Sequence, residues 1–376
     1  MSGLVSKSAH EKFMVLALTE ARKGLGKTSP NPPVGAVLLR KGRVLSKAYH
    51  PKAGAPHAEK LALKKVSQTK GTTLYVTLEP CCHFPKKTPP CVPEIIAGGV
   101  RRVVVGCLDP NPKVAGRGVR ALRRAGIEVI TGVLQEECEE LIRFFRHGFL
   151  SGRPYVLLKV AASLDGRVAL ANGKSQWITG EASRKQVHRL RAQMDAVLVG
   201  IGTVVQDDPR LNSRIGRGAK PLRVVLDPQL KISPRAKVLN PQWGEGRWVV
   251  TRAKFLESAK AKILGRAGVR LLACPWRAGR GFDLKFLLKA LGAAGVHALM
   301  VEGGPRVWTH FWEQGLWQEL QLYLAPKILG GDALPWIGPL KRRLVPDTGL
   351  GRLHHMENLG EDIGLNYRNL RGKSKK

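Results

Sequence analysis

Through nearly all of this chain, apolar runs of strand length alternate with helix-patterned stretches, and the alternation breaks once. That pattern confines the fold to α/β, strands and helices layered on one another. Glu11 to Lys23 carries apolar residues at helical spacing and stops at Gly24 and Gly26. Val34–Leu39 and Val44–Ala48 read as two strands around a Lys41-Gly42 turn. Helices are predicted from about His57 to Val66, Val92 to Ala97, Gly118 to Ala125 and Glu136 to Phe145. Strands are predicted between them at Thr73–Leu78, Val103–Gly106 and Glu128–Thr131. The break is Ser151-Gly152-Arg153-Pro154, a cluster of turn formers. Beyond it, strands are predicted near Tyr155–Val160, Ala196–Val199, Arg223–Leu226, Trp248–Thr251, Val269–Leu272 and Ala298–Glu302, with a helix around Val307–Gln314. At 376 residues the chain exceeds what one core usually serves. Two domains are expected, over 1–150 and 153–370, with a basic tail over 371–376.

Lys and Arg number 63 against 28 Asp and Glu, a net charge of +35 spread over both halves. Such a field attracts anions, whether nucleic acid or phosphorylated small molecules, and does not choose between them. Apolar runs such as Val156–Val160 are too short to span a bilayer. The first segment, with Glu11 and Glu20 among its apolar residues, lacks a secretory pattern. Six cysteines in a chain this long do not suggest a disulfide scaffold. A cytoplasmic location, with no membrane partner, is expected.

Ala21-Arg22-Lys23-Gly24-Leu25-Gly26-Lys27-Thr28 nearly spells a phosphate-binding loop. That loop needs a strand before it and a helix after it. Here a helix precedes, and Pro30, Pro32 and Pro33 remove amide donors and block a helix. The run is set aside.

The informative constellation is His57-Ala58-Glu59, then Glu79-Pro80-Cys81-Cys82, then Pro90-Cys91. One imidazole and two thiolates supply the three protein ligands of a catalytic zinc and leave a corner for water. Glu59, two residues beyond His57, can face that water as a proton shuttle without binding metal. Cys91, at a predicted helix start, has its thiolate favoured by the helix dipole. His-x-Glu followed by Pro-Cys and a later Cys is the pattern of zinc deaminases that act on nucleobases. Cys107, Cys138 and Cys274 read as packing residues.

Together with Thr28–Val37, Thr88-Pro89-Pro90-Cys91, Asp109-Pro110-Asn111-Pro112 and Gly116-Arg117-Gly118, these residues resemble the bifunctional deaminase–reductase family of riboflavin biosynthesis. The resemblance implies a cytidine-deaminase-like three-layer α/β/α domain, then a dihydrofolate-reductase-like α/β domain. It implies zinc-dependent hydrolytic deamination of a diaminopyrimidinone bearing a ribose phosphate, then NADPH-dependent reduction of the ribosyl chain to ribityl. Asn31, His50 and Lys87 would contact the first substrate. Nine residues separate Cys81 from Cys91, one more than in that family; Cys82 would restore the shorter spacing and is the alternative, but Glu79-Pro80-Cys81 after the strand makes Cys81 the expected ligand.

In the second half, Lys159–Arg167 and Ser175–Thr179 resemble the reductase of the same family. Val301-Glu302-Gly303-Gly304-Pro305, between a predicted strand and helix, is placed to offer backbone amides to a phosphate. By resemblance, Ala161, Trp177, Thr203, Asp207 and the turn Gly304, Pro305, Arg306, Val307, Trp308, Thr309 and His310 would lie along NADPH. Ser175, Arg191, Leu211, Arg214 and Glu302 would line the sugar-phosphate substrate. Arg191 and Arg214 also make physical sense there, because a guanidinium pairs bidentately with phosphate. The expected partners are phosphorylated pyrimidines rather than nucleic acid, and association into a homo-oligomer is compatible with the sequence. Two rivals remain: a tRNA deaminase, whose usual Pro-Cys-x-x-Cys spacing is absent, and a zinc-containing RNA-binding protein, for which His83 is the nearby candidate fourth ligand.

Overall fold

The computed structural model describes residues 7–82, 89–112, 114–215, 220–244, 246–340 and 349–369. The expectations placed on His83, Lys87, Thr88 and the 371–376 tail lie outside them. The chain divides into two compact units between Gly152 and Arg153.

The first unit runs α1 (Lys7–Arg22), β1 (Gly35–Arg40), β2 (Arg43–Tyr49), α2 (Ala58–Lys64), β3 (Thr73–Leu78), α3 (Cys91–Ala97), β4 (Arg102–Cys107), α4 (Arg117–Arg124), β5 (Glu128–Thr131), α5 (Gln135–Leu141) and α6 (Arg143–Ser151). Its sheet has the order β2-β1-β3-β4-β5. β2, β1 and β3 pair antiparallel, and β3, β4 and β5 pair parallel. Lys41 and Gly42 both take positive φ, as a two-residue hairpin turn with the right twist requires. The helix predicted over Glu136–Phe145 is two helices instead. Ile142, buried between them, sits at φ −99° and ψ 13°, outside helical geometry, and turns the chain. α1 ends at Arg22 and turns follow it, so the Ala21–Thr28 run is not flanked as a phosphate loop needs.

Gly35, Thr77 and Gly106 form one row across β1, β3 and β4. The two glycines in that row let helix atoms come down onto the sheet. A Cβ on Gly35 would lie 2.0 Å from the Ala17 carbonyl oxygen of α1, and one on Gly106 would lie 2.3 Å from Cys138 Sγ of α5. On the opposite face, Ser46 Oγ of β2 donates to the Ala62 carbonyl of α2, and α2, α3 and α4 follow one another there.

The second unit runs β6 (Tyr155–Ser163), β7 (Arg167–Ala169), α7 (Glu181–Arg191), β8 (Ala196–Gly200), α8 (Ile201–Asp207), β9 (Leu222–Leu226), β10 (Arg247–Thr251), α9 (Ala259–Arg266), β11 (Arg270–Ala273), β12 (Trp276–Arg277), β13 (Gly281–Phe282), α10 (Leu284–Ala293), β14 (Ala298–Gly303), α11 (Pro305–Glu313), β15 (Glu319–Ala325), β16 (Leu334–Pro335), β17 (Arg352–Leu359) and β18 (Asp362–Arg368). Its large sheet has the order β11-β10-β9-β8-β14-β6-β15-β18-β17. Strands from β11 to β15 are parallel, and β18 and β17 close the edge antiparallel. Central strands such as Ala-Val-Leu-Val-Gly in β8 are apolar throughout because helices cover both faces. One face packs Val156, Leu158 and Val160 against Leu287, Leu291, Phe311 and Trp312. The other face sets a polar network among buried apolar residues such as Leu157, Val197 and Met300. Tyr155 Oη donates to Glu319 (2.9 Å), Asn366 Nδ2 to Glu319 and Gln321, and Lys159 pairs with Glu302.

Because the α1 backbone fills the place of a side chain at Gly35, Gly35→Ala is expected to cost roughly 1–3 kcal/mol as an overpacked site. Hydrogen exchange on the full chain would show it as lost protection in α1 and β1, with protection in the second unit unchanged.

Candidate active sites

In the first unit, the starts of two helices meet the turn after β3. His57 caps α2 in extended geometry (φ −70°, ψ 163°), and Cys91 opens α3 immediately after Pro90. The amides of Cys91 and Val92 both donate to the Cys81 carbonyl, at 3.0 and 3.2 Å, which ties the third segment to the same point. Glu79, almost wholly buried, anchors that turn. Its carboxylate accepts the amides of Asp109 (3.3 Å), Gly116 (2.8 Å) and Val119 (3.1 Å), gathering the loop after β4 and the first turn of α4. Gly118 has to be glycine here, since a Cβ would sit 2.2 Å from the Pro80 carbonyl oxygen.

The ligand atoms of His57, Cys81 and Cys91 all lie within 4.8 Å of one another. His57 Nδ1 is 3.2 Å from Cys91 Sγ and 3.6 Å from Cys81 Sγ. Cys82 is half-buried and contributes no atom to the cluster. Glu59 is 4% exposed, and burial raises its carboxyl above the usual range against the opposing pull of His57. The hydrogen bond to Cys81, burial and Glu59 together drive the Cys91 thiol upward, so the dipole of a seven-residue helix does not prevail there by itself. Two thiols and a carboxylate crowded out of water form a set of latent anions that a cation would stabilise. One nitrogen and two sulfur donors at this spacing fit zinc with one corner open.

His50 and Asn31 sit beside this cluster. Asn31 Nδ2 donates to His50 Nε2 (3.1 Å), and His50 Nδ1 donates to the Pro56 carbonyl (3.1 Å), which fixes the tautomer. Burial, with the neighbouring His57, outweighs the Pro56 bond and holds His50 below its ordinary range. Its ring meets His57 edge-on at 5.3 Å.

In the second unit the expected residues gather at the C-terminal ends of β6, β8 and β14, where open parallel sheets bind ligands. Gly303 packs against Val199 and Gly200, and a Cβ on Gly304 (φ +92°) would lie 3.3 Å from Thr203 Oγ1. The turn into α11 and the first residues of α8 therefore lie side by side. Ser175 Oγ donates to Asp207 at the end of α8 (3.1 Å). Trp177 is 61% exposed, with the Arg184 guanidinium over its ring. Ala161 is half-buried on β6, opposite Tyr323.

Three expectations need correcting. The Arg191 fork is not free for a phosphate: Nε and Nη2 pair with Glu302 (2.7 and 2.8 Å), and Nη1 donates to the Asn212 carbonyl (2.7 Å). The other two concern α11, because a helix cannot turn seven consecutive side chains to one ligand. Trp308 is in the core with Nε1 donating to the Val301 carbonyl, and His310 Nε2 donates to the Phe282 carbonyl. What this turn can offer is the backbone from Gly304 onward. Burial alone would raise the Glu302 carboxyl, but Arg191 and Lys159 outweigh it and hold it at about 2. Arg214 is exposed on the loop after α8, and Leu211 is buried on that loop at φ +56°. Lys159 and the anchoring role of Glu79 were missed in the sequence. A lone acidic residue ending the apolar run Thr73–Leu78, just before a ligand, was the available signal for Glu79.

A largely buried His/Cys/Cys cluster beside a buried carboxylate, in an α/β unit, is the site of a zinc-type deaminase. Residues 7–107 match the family model "Cytidine and deoxycytidylate deaminase zinc-binding region", and residues 154–365 match "RibD C-terminal domain". The chain is 45% identical to riboflavin biosynthesis protein RibD of Aquifex aeolicus, covering 95% of this chain and 98% of that one. It is 40% identical to the Escherichia coli protein of that name, covering 86% and 89%. Acinetobacter baumannii RibD superposes with a TM-score of 0.86 at 36% identity, covering 96% and 99%. A Thermotoga maritima structure described as a diaminohydroxyphosphoribosylaminopyrimidine deaminase/5-amino-6-(5-phosphoribosylamino)uracil reductase superposes equally well (0.86) at 35% identity, with the same coverage. The chain belongs to the RibD family, the bifunctional deaminase–reductases of riboflavin biosynthesis. Among the described residues no helix is long and apolar enough to cross a membrane.

Glu79→Gln keeps the size of the side chain but replaces one acceptor oxygen with a donor. It is expected to leave a buried amide unpaired, destabilise the first unit by about 1–3 kcal/mol and lower its metal occupancy, while reductase turnover persists. Metal analysis and the two separate assays would check this. Glu302 gives a pH signature. Its folded pKa of about 2 lies below its ordinary 4.5, so its contribution is complete above 4.5 and disappears as pH falls through 2. Urea unfolding of the second unit across that window is expected to weaken in the native chain and to lose that part of the slope in Glu302→Gln.

Proposed function

We propose that the first unit hydrolytically deaminates 2,5-diamino-6-ribosylamino-pyrimidinone phosphate, and that the second reduces the resulting ribosylamino compound to its ribityl form with NADPH. The observation that carries the first half is the convergence of His57, Cys81 and Cys91 beside a buried Glu59. These three residues would hold zinc, which when bound lowers the pKa of water at its open corner. Glu59, kept protonatable by its burial, takes one proton from the attacking water and passes it to the ring nitrogen, then carries the proton of the newly formed hydroxyl to the amino group, which leaves as ammonia. Asn31 and His50, locked to each other, line the approach and orient the pyrimidine. Water enters and ammonia leaves, so the ring gains a carbonyl with no change in oxidation state.

In the second unit the Gly303-Gly304 turn and Thr203 would cradle the cofactor phosphates through backbone amides, with Ala161, Trp177 and Asp207 along the rest of NADPH. When bound, NADPH supplies hydride to the ribose carbon bearing the nitrogen. That carbon's bond to the ring oxygen breaks, and the oxygen takes up a proton. Ser175, Leu211, Arg214 and Glu302 position the sugar phosphate, with Arg214 as the exposed cation for the phosphate and Arg191 holding Glu302 in place. None of the six cysteines is in a disulfide, which suits a reducing cytoplasm. The basic surface favours phosphorylated substrates.

Glu59→Gln is expected to lower deamination by about 10²–10⁴-fold, the usual scale for a lost general acid–base, with zinc content and reductase turnover unchanged. Cys81→Ala should lose zinc while Cys82→Ala keeps it. Full deaminase activity in Glu59→Gln, or the opposite pattern for the two cysteines, would sink this assignment.

A further inference from the structure

His188, on α7, takes no part in the chemistry proposed above, yet it sits where the loop of Leu211 and Arg214 meets that helix. Its Nδ1 accepts the Arg214 amide (3.3 Å) and lies 3.5 Å from Arg191 Nη1. Its carbonyl accepts the Ser213 hydroxyl (3.0 Å), and Ser213 Oγ in turn accepts the Ile215 amide (3.3 Å). One residue earlier, the Asn212 carbonyl accepts from Arg191 Nη1, whose fork is held by Glu302. The loop 212–215 is thus fastened to α7 at three successive residues, and His188 makes two of the fastenings. Arg214 itself makes its backbone bond inward and keeps its side chain exposed.

From this geometry we infer that His188 is a positioning residue for the reductase: its unprotonated Nδ1 clamps the Arg214 amide and so aims the Arg214 guanidinium at the substrate's phosphate. The inference rests on the reading of the 211–214 loop as the substrate strap. The clamp requires a neutral ring with its proton on Nε2, because a protonated Nδ1 donates and would face an N–H donor. The surroundings enforce neutrality. Burial comes first, then Arg191 on the same helix, Arg214 on the loop and Lys159 on β6, with Glu302 on β14 opposing, and together they hold His188 at about 4. The loop therefore stays clamped across the neutral range and is released only in acid.

The test is steady-state kinetics of the full-length reductase with its phosphorylated substrate, over a range of pH. His188→Leu, which has no acceptor, is expected to raise KM by about three- to tenfold, the net scale of one hydrogen bond, with kcat within about twofold. His188→Asn, whose Oδ1 accepts at similar reach, should recover most of that loss. Below pH 6 the native KM should rise more steeply than that of His188→Asn, the excess reporting protonation of the ring, since protonation of the substrate phosphate is common to both. An unchanged KM in His188→Leu would overturn the inference. Equal damage in both variants accompanied by a lower melting temperature would do the same, because it would make the residue merely structural. Arg214→Ala separates the two levels: if it leaves KM unchanged, the substrate assignment of the loop fails. If Arg214→Ala raises KM and His188→Leu does not, only the positioning role fails.

Discussion

A carboxylate that has given up water for three backbone amides holds the first unit's site together. Glu79 follows an apolar strand, is almost fully buried, and takes the amides of Asp109, Gly116 and Val119. A buried anion without such donors is too costly to keep, so its position dictates where the loop after β4 and the first turn of α4 must run. Cys81 stands two residues further on, and its carbonyl receives the first amides of α3. The cluster of His57, Cys81 and Cys91 is therefore held in place by backbone bonds, with two helix starts converging on one turn.

The second unit follows a different logic. One face of its sheet is wholly apolar, and the other, beside its apolar residues, carries a chain of charges from Lys159 through Glu302 to Arg191. Glu302 is the pivot. It keeps its negative charge in a buried place because two cations face it, and in doing so it draws the Arg191 fork away from solvent. Arg214, by contrast, stays exposed on a loop that Arg191 and His188 hold down. The basic character of the chain thus appears locally as cations with distinct duties, some balancing a buried acid and one remaining exposed.

Local patterns carried much of the fold. The strands at Thr73–Leu78 and Glu128–Thr131 fall where β-branched and apolar residues cluster, and the first is buried at every position but its opening Thr73. Elements whose burial is one-sided or slight gave no such signal. β17 is exposed along most of its length and reads Arg-Leu-His-His-Met-Glu-Asn-Leu, which alternates too weakly to declare a strand. The break at Ile142 escaped notice for a related reason: both helices around it have helical composition, and only a change of direction in space separates them.

The amino-acid sequence by itself determined the chemistry of the first site, because one imidazole, two thiols and a carboxylate in that order have few other uses together. It also determined the alternation that makes both units α/β. Only the tertiary structure decided which cysteine turns inward, that Glu302 claims the guanidinium of Arg191, and that Trp308 belongs to the core. Each of these depends on which groups, distant along the chain, come within a few ångströms, and hydrogen bonds and charge act on that separation rather than on spacing in sequence.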